Sequence, residues 1–87
     1  EFWWIKKLNL DEDVKKIFLD TFPLLSESDF DWNKTQKDYD DWDSFAQLNL
    51  ITIAETKFEI TFSDDEITSI SSAKNLLDTI KLHLWIL

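Results

Sequence analysis

The chain reads as an all-α protein: a small helical bundle of three main helices plus a short third helix, with a long loop between helices 1 and 2. Three observations lead there. The 87 residues contain no glycine and one proline, Pro23. β-Barrels and sandwiches need several tight turns with positive φ, which glycine usually supplies, whereas helices joined by loops rich in Asp, Asn and Ser need it less. Apolar residues recur at helical spacing near both ends, as Leu10, Val14, Ile17, Phe18 and Phe22 and again as Ala73, Leu76, Leu77, Ile80, Leu84 and Leu87.

Asn9 and Glu12 form an N-x-x-E start signal for the first helix, and Pro23 stops it near Phe22. Residues 24–43 form a long acidic loop in which Phe30, Trp32, Tyr39 and Trp42 are placed to pin it over the core. Residues 44–59 are ambiguous by pattern. Leu48, Leu50, Thr52 and Ala54 alternate with polar neighbours, as do Phe58, Ile60 and Phe62, which admits a strand. A capping residue at Asp43 or Ser44 and the lack of a turn signal before Glu55 favour a helix. Asp64 to Thr68 suits one short helical turn, and Ser71 or Ser72 can cap the last helix. The expected interior is Phe18, Leu48, Ile51, Phe58, Ile70, Leu77 and Ile80.

Residues 1–87 read as one domain with no internal repeat, residues 1–8 and 82–87 being apolar terminal extensions. Phe2-Trp3-Trp4-Ile5 and Leu84-Trp85-Ile86-Leu87 either extend the core and cover each other or form a docking patch. No stretch is long and apolar enough to cross a bilayer, and the first residues lack a signal peptide's basic flank, so a cytoplasmic setting is expected without membrane insertion. The absence of methionine suggests a chain trimmed or excised from a longer one.

Eighteen acids against nine bases give a net charge of −9, which disfavours nucleic acid as a partner and favours a basic protein surface. There is no cysteine, so disulfides and thiolate metal sites are excluded, and any thioester sulfur has to arrive on a prosthetic group. Asp29, Asp31, Asn33 and Asp40 imitate the start and end of a calcium loop, but Lys34 stands where its sharp turn needs glycine, so no metal site is expected. The single histidine, His83, reads as a surface residue near a helix C-terminus. Nothing assembles a hydrolytic or redox centre, and no enzyme activity is expected.

Ser44 is the residue that carries a function. It lies in Asp41-Trp42-Asp43-Ser44-Phe45-Ala46-Gln47-Leu48, between an acidic loop and an apolar stretch of helical length. Ser44 and Gln47 fit an S-x-x-Q capping box, which places the hydroxyl at the positive end of a helix. Backbone N–H groups there suit a phosphate ester.

Asp43-Ser44-Phe45 resembles the Asp-Ser-Leu motif of the acyl carrier protein family. Val14-Lys15-Lys16-Ile17-Phe18 looks like that family's first helix, and Leu48, Leu50, Ile51 and Phe58 fall where its second helix is apolar. Ser63-Asp64-Asp65-Glu66-Ile67 resembles the opening of its short third helix, and Ile70 to Ile80 the run into its last. The resemblance covers most of the chain and decides residues 44–59 for helix.

What the resemblance implies is a carrier. A phosphopantetheinyl transferase would attach 4′-phosphopantetheine from coenzyme A to Ser44, and the arm's thiol would hold acyl or aminoacyl groups as thioesters. Phe45 would pin the start of the second helix into the bundle. Asp41, Asp43, Phe45, Gln47, Glu55, Asp64, Asp65 and Glu66 would face loading and transferring enzymes with basic docking surfaces. The second helix departs from the family in being poor in acids, with Gln47, Asn49, Thr52, Thr56 and Lys57 against Glu55 and Glu59. The pathway implied is fatty-acid-like or specialised, and the acid-poor helix favours a specialised carrier, in polyketide, nonribosomal-peptide or surface-modification chemistry, over housekeeping fatty acid synthesis. The alternative is a carrier-like docking adapter that is never modified.

Overall fold

The computed structural model describes residues 10–85. In chain order these form α1 (Leu10–Thr21), 3-10 turns at Glu27–Asp29 and Gln36–Asp38, α2 (Ser44–Phe58), α3 (Asp64–Ser69) and α4 (Ala73–Trp85). The all-α expectation holds, with α3 the short helix and residues 22–43 the long connection. The predicted start signal at Asn9, the extension 1–8 and Leu87 lie outside the described residues.

α1 forms because its apolar residues share one face. Leu10, Val14, Ile17 and Phe18 are buried, and Phe22 follows just beyond the helix end. The Phe22 N–H still reaches the Phe18 carbonyl at 3.0 Å, and Pro23 then denies the next donor. α1 packs on α2 and α4. α4 repeats the logic, with Ala73, Leu76, Leu77 and Ile80 buried and Leu84 half-buried. Of its two candidate caps, Ser72 accepts the Asn75 N–H at 3.0 Å.

The loop is held from two sides. Below, Trp42 is buried and its ring lies 5.5 Å from Phe18 and 5.4 Å from Phe22, while Tyr39 lies 4.9 Å from Phe22 and Phe30 lies 6.0 Å from Phe18. Tilted and edge-to-face aromatic contacts at these separations add to simple area burial. Beside it, the Gln36 N–H donates to the Ser71 carbonyl at 2.8 Å and the Lys74 N–H to the Trp32 carbonyl at 3.1 Å. The loop acids serve local turns. Asp29 accepts from the Ser26 hydroxyl and Asp31 from the Asn33 N–H. Among the described residues no cluster of three or more His, Asp or Glu side chains is arranged to hold a metal ion.

α2 differs most from expectation. Its buried stripe is Ala46, Leu50, Ile51 and Ala54. Leu48, expected inside, is 57% exposed, and Phe58 is only half-buried. Leu48 stands two residues from Ala46 and from Leu50, which at 100° per residue turns it to the opposite side of the helix. Phe45 likewise does not enter the bundle and is 79% exposed. Trp42 and Ala46 anchor the helix start instead. The remaining expected interior residues, Phe18, Ile51, Ile70, Leu77 and Ile80, are buried.

α2 ends on Glu59, whose φ of 56° and ψ of 48° are left-handed, and the Ile60 N–H closes back to the Glu55 carbonyl at 3.2 Å. Glycine usually fills that position, and this chain has none. A non-glycine residue costs roughly 1–2 kcal/mol there, and glycine costs about 0.5–1 kcal/mol of chain entropy. Glu59→Gly is therefore expected to raise stability by about 0.5–1 kcal/mol in urea titration, and an equal loss would mean that the Glu59 side chain holds the turn.

Candidate functional site

The site is built where the loop meets α2. Asp43 has extended backbone, with φ −102° and ψ −168°, and its Oδ1 accepts the Ala46 N–H at 2.9 Å. Asp43 is thus the N-cap, and the Ser44–Gln47 capping box read from the sequence does not form. Both residues are good caps by type. Asp43 takes the position, and the Gln47 side chain is turned into the protein rather than back to Ser44. Ser44 becomes the first helical residue, exposed, with its hydroxyl outside the cap at the positive end of a 15-residue helix.

Gln47 makes three bonds. Its Oε1 accepts the Trp42 indole N–H at 2.6 Å, and its Nε2 donates to the carbonyls of Ile67 at 2.6 Å and Ile70 at 3.1 Å. Gln36 adds a second amide, its Nε2 donating to the Trp42 carbonyl at 3.0 Å. Loop, α2 and the end of α3 are thereby joined at one point. Beside it lies an open depression of about 390 Å³ lined by Gln36, Ser44, Gln47, Leu48, Ile67 and Thr68. Exposed Phe45 flanks Ser44 in sequence, and exposed Leu48 lines the hollow together with Ile67, so Ser44 borders a hollow whose lining is more apolar than polar.

α3 is fixed by reciprocal capping. The Ser63 hydroxyl accepts the Glu66 N–H at 3.2 Å, and Glu66 accepts the Ser63 N–H at 2.8 Å. His83 is half-buried rather than on the surface, with its Nε2 3.0 Å from both Glu66 carboxylate oxygens and its ring 5.3 Å from Phe62. The Ser63 N–H and then His83 hold the Glu66 carboxyl below its ordinary value of 4.5. A carboxyl lowered on folding contributes stability that is present above its unfolded value and lost as pH falls through its folded one. Unfolding free energy is expected to decline as pH drops below about 4.5. Glu66→Gln is expected to flatten part of that decline in denaturant titrations across the range. An unchanged acid limb would show that Glu66 does not contribute.

The other residues picked from the sequence fall into two groups. Asp43, Phe45, Asp64 and Asp65 are exposed and Asp41 is half-buried. Gln47, Glu55 and Glu66 are engaged internally, Glu55 accepting the Phe62 N–H at 2.9 Å. Asp64 and Asp65 open α3, whereas it is Ile67 and Thr68, a turn later, that line the hollow beside Ser44. Gln36 and Thr68 were missed in the sequence. Neither sits in a local pattern, since the chain separates them from Ser44 by a loop and by a helix.

No protein-family model, curated protein or solved structure matches this chain. Among the described residues no helix is long and apolar enough to cross a membrane.

Proposed function

We propose that this protein is an acyl or aminoacyl carrier whose Ser44 bears a 4′-phosphopantetheine arm. The observation that carries the reading is the placement of Ser44: exposed, first in α2, its hydroxyl released from capping by Asp43, and at the edge of an open hollow. The residues around it that resemble the acyl carrier protein motif, Asp43-Ser44-Phe45, add support. In the modification the Ser44 hydroxyl oxygen bonds to the phosphorus that carries the pantetheine of coenzyme A. The pyrophosphate bond breaks, adenosine 3′,5′-bisphosphate leaves and the hydroxyl proton passes to the transferase. The new phosphodiester lies at the helix N-terminus, where the dipole favours its charge. The chain has no cysteine, so the arm supplies the thiol that forms the thioester.

The cargo reaches partner enzymes at high effective concentration because it is tethered. With coenzyme A as donor, the reading sets this work in the cytoplasm. The protein contributes no catalytic group. The partners are basic protein surfaces rather than nucleic acid, given a net charge of −9. Replacing Asp41 and Asp43 with asparagine is expected to slow association with the transferase more than it speeds dissociation, and the difference is expected to shrink as salt rises. Asparagine keeps the N-cap, so the fold survives the change. Salt-insensitive binding would point to apolar docking through Phe45 and Leu48, which are exposed, and to the unmodified adapter. Intact-mass analysis after incubation with coenzyme A and a broad-specificity transferase tests the assignment.

A further inference from the structure

We propose that Gln47 determines cargo class, by sealing the seam between α2 and α3 so that whatever Ser44 carries stays outside the bundle; the cargo it selects is a short or polar acyl or aminoacyl group, not a long alkyl chain. The inference rests on the carrier reading for its cargo and on geometry for the seal.

The orientation of the Gln47 amide is dictated by its partners. An indole N–H only donates, so Oε1 must face Trp42, and carbonyls only accept, so Nε2 must face Ile67 and Ile70. Both amide hydrogens are spent, and the three bonds span loop, helix and helix end. Trp42 and Ile70 are 5% and 1% exposed, so their polar atoms have little access to water. Gln47 and Ser44 line the same hollow. An alkyl chain tethered at Ser44 and seeking burial between α2 and α3 has to push Gln47 aside. It then strands the indole N–H and two carbonyls without partners. Each buried polar group left unpaired cancels the gain from roughly one to four buried methylenes, so the indole N–H and the Ile70 carbonyl together offset much of an octyl chain, while the carbonyl of half-buried Ile67, beside the open hollow, adds less. A short or polar group has nothing to gain from entering and is carried in the open, in a hollow that Gln36, Gln47 and Thr68 share with Leu48 and Ile67.

The chain lacks cysteine, so Ser44→Cys introduces a single thiol. Its thiolate attacks the sulfenyl sulfur of a methyl or octyl methanethiosulfonate, forming the mixed disulfide as methanesulfinate leaves. With Gln47 in place, the methyl and octyl conjugates are expected to melt together, and the octyl form to be retained longer on a hydrophobic-interaction column. With Gln47→Ala added, the octyl conjugate is expected to melt above the methyl one. An octyl chain that raises Tm with Gln47 in place overturns the seal. So does equal melting of the two conjugates in a folded Gln47→Ala background. If Gln47→Ala does not fold, a carbon-13 label on the terminal octyl methyl decides in the Gln47 protein. Nuclear Overhauser contacts to Ile70 or Ile51 methyls overturn the seal, and their absence supports it. Loading the wild-type chain from acetyl- and octanoyl-coenzyme A with a transferase separates the two readings. No attachment at all sinks the carrier and its cargo class while the thiol conjugates still report the seam. Attachment of both with a higher Tm for the octanoyl form sinks the seal alone.

Discussion

Phe18→Ala is expected to destabilise the protein by about 3–5 kcal/mol, as for a large aromatic removed from a packed interior. Phe18 has no exposed surface. Its ring lies 5.7 Å from Phe22, 6.0 Å from Phe30, 6.2 Å from Tyr39 and 5.5 Å from Trp42. It is therefore the post on which the loop between α1 and α2 rests. The loss combines transfer of the ring to water with a cavity that four other rings cannot collapse to fill. Small domains are held by roughly 5–15 kcal/mol, so the variant is expected near its unfolding threshold. Phe18→Leu, which keeps most of the volume, is expected to lose less and gives a measurable urea transition. A cost under about 1 kcal/mol for the alanine variant would mean that the loop is not pinned through Phe18.

The functional consequence follows from the order of the chain. The loop ends in Trp42, Trp42 donates to Gln47, and Asp43 caps α2 with Ser44 next to it. Loosening the aromatic cluster is expected to loosen the cap and the serine together. A small acidic domain with no glycine thus holds its site through burial of rings rather than through a rigid tight turn.

What was legible in the sequence was whatever one face of one helix encodes. α1 and α4 each bury a single stripe, and their spacing gave both helices and most of their buried residues. α2 hides its register because apolar residues stand on two faces. Ala46, Leu50, Ile51 and Ala54 go in, while Phe45 and Leu48 stay out. The i, i+4, i+5, i+8 stripe of the first set was there to be read, but Leu48 and Phe58 are larger and drew the expectation. Asp43 and Ser44 are equal as capping types, and in the fold Asp43 caps while Gln47 faces inward. The partners of Gln47 lie five residues back and 20 and 23 residues ahead, so no local pattern announces that it faces inward. The pair of His83 with Glu66 is of the same kind, joining residues 17 apart on two helices.

Ser44→Ala is expected to leave the fold intact and to abolish attachment of the arm altogether. Because Asp43 makes the cap, the hydroxyl is not needed for it, and an exposed position of this kind changes stability by no more than about 0.5 kcal/mol. Ser63 and Ser72 are committed to capping α3 and α4, and Ser69 and Ser71 bond within their own helix ends. Ser26 and Ser28 sit at a 3-10 turn, without the long helix that follows Ser44. The decisive measurement is intact mass after incubation with coenzyme A and a broad-specificity phosphopantetheinyl transferase, for wild type and Ser44→Ala side by side. One phosphopantetheine on the wild type and none on the folded variant is the result expected of a carrier. Modification that persists in the folded variant, or a wild type that several competent transferases leave unmodified, would contradict it.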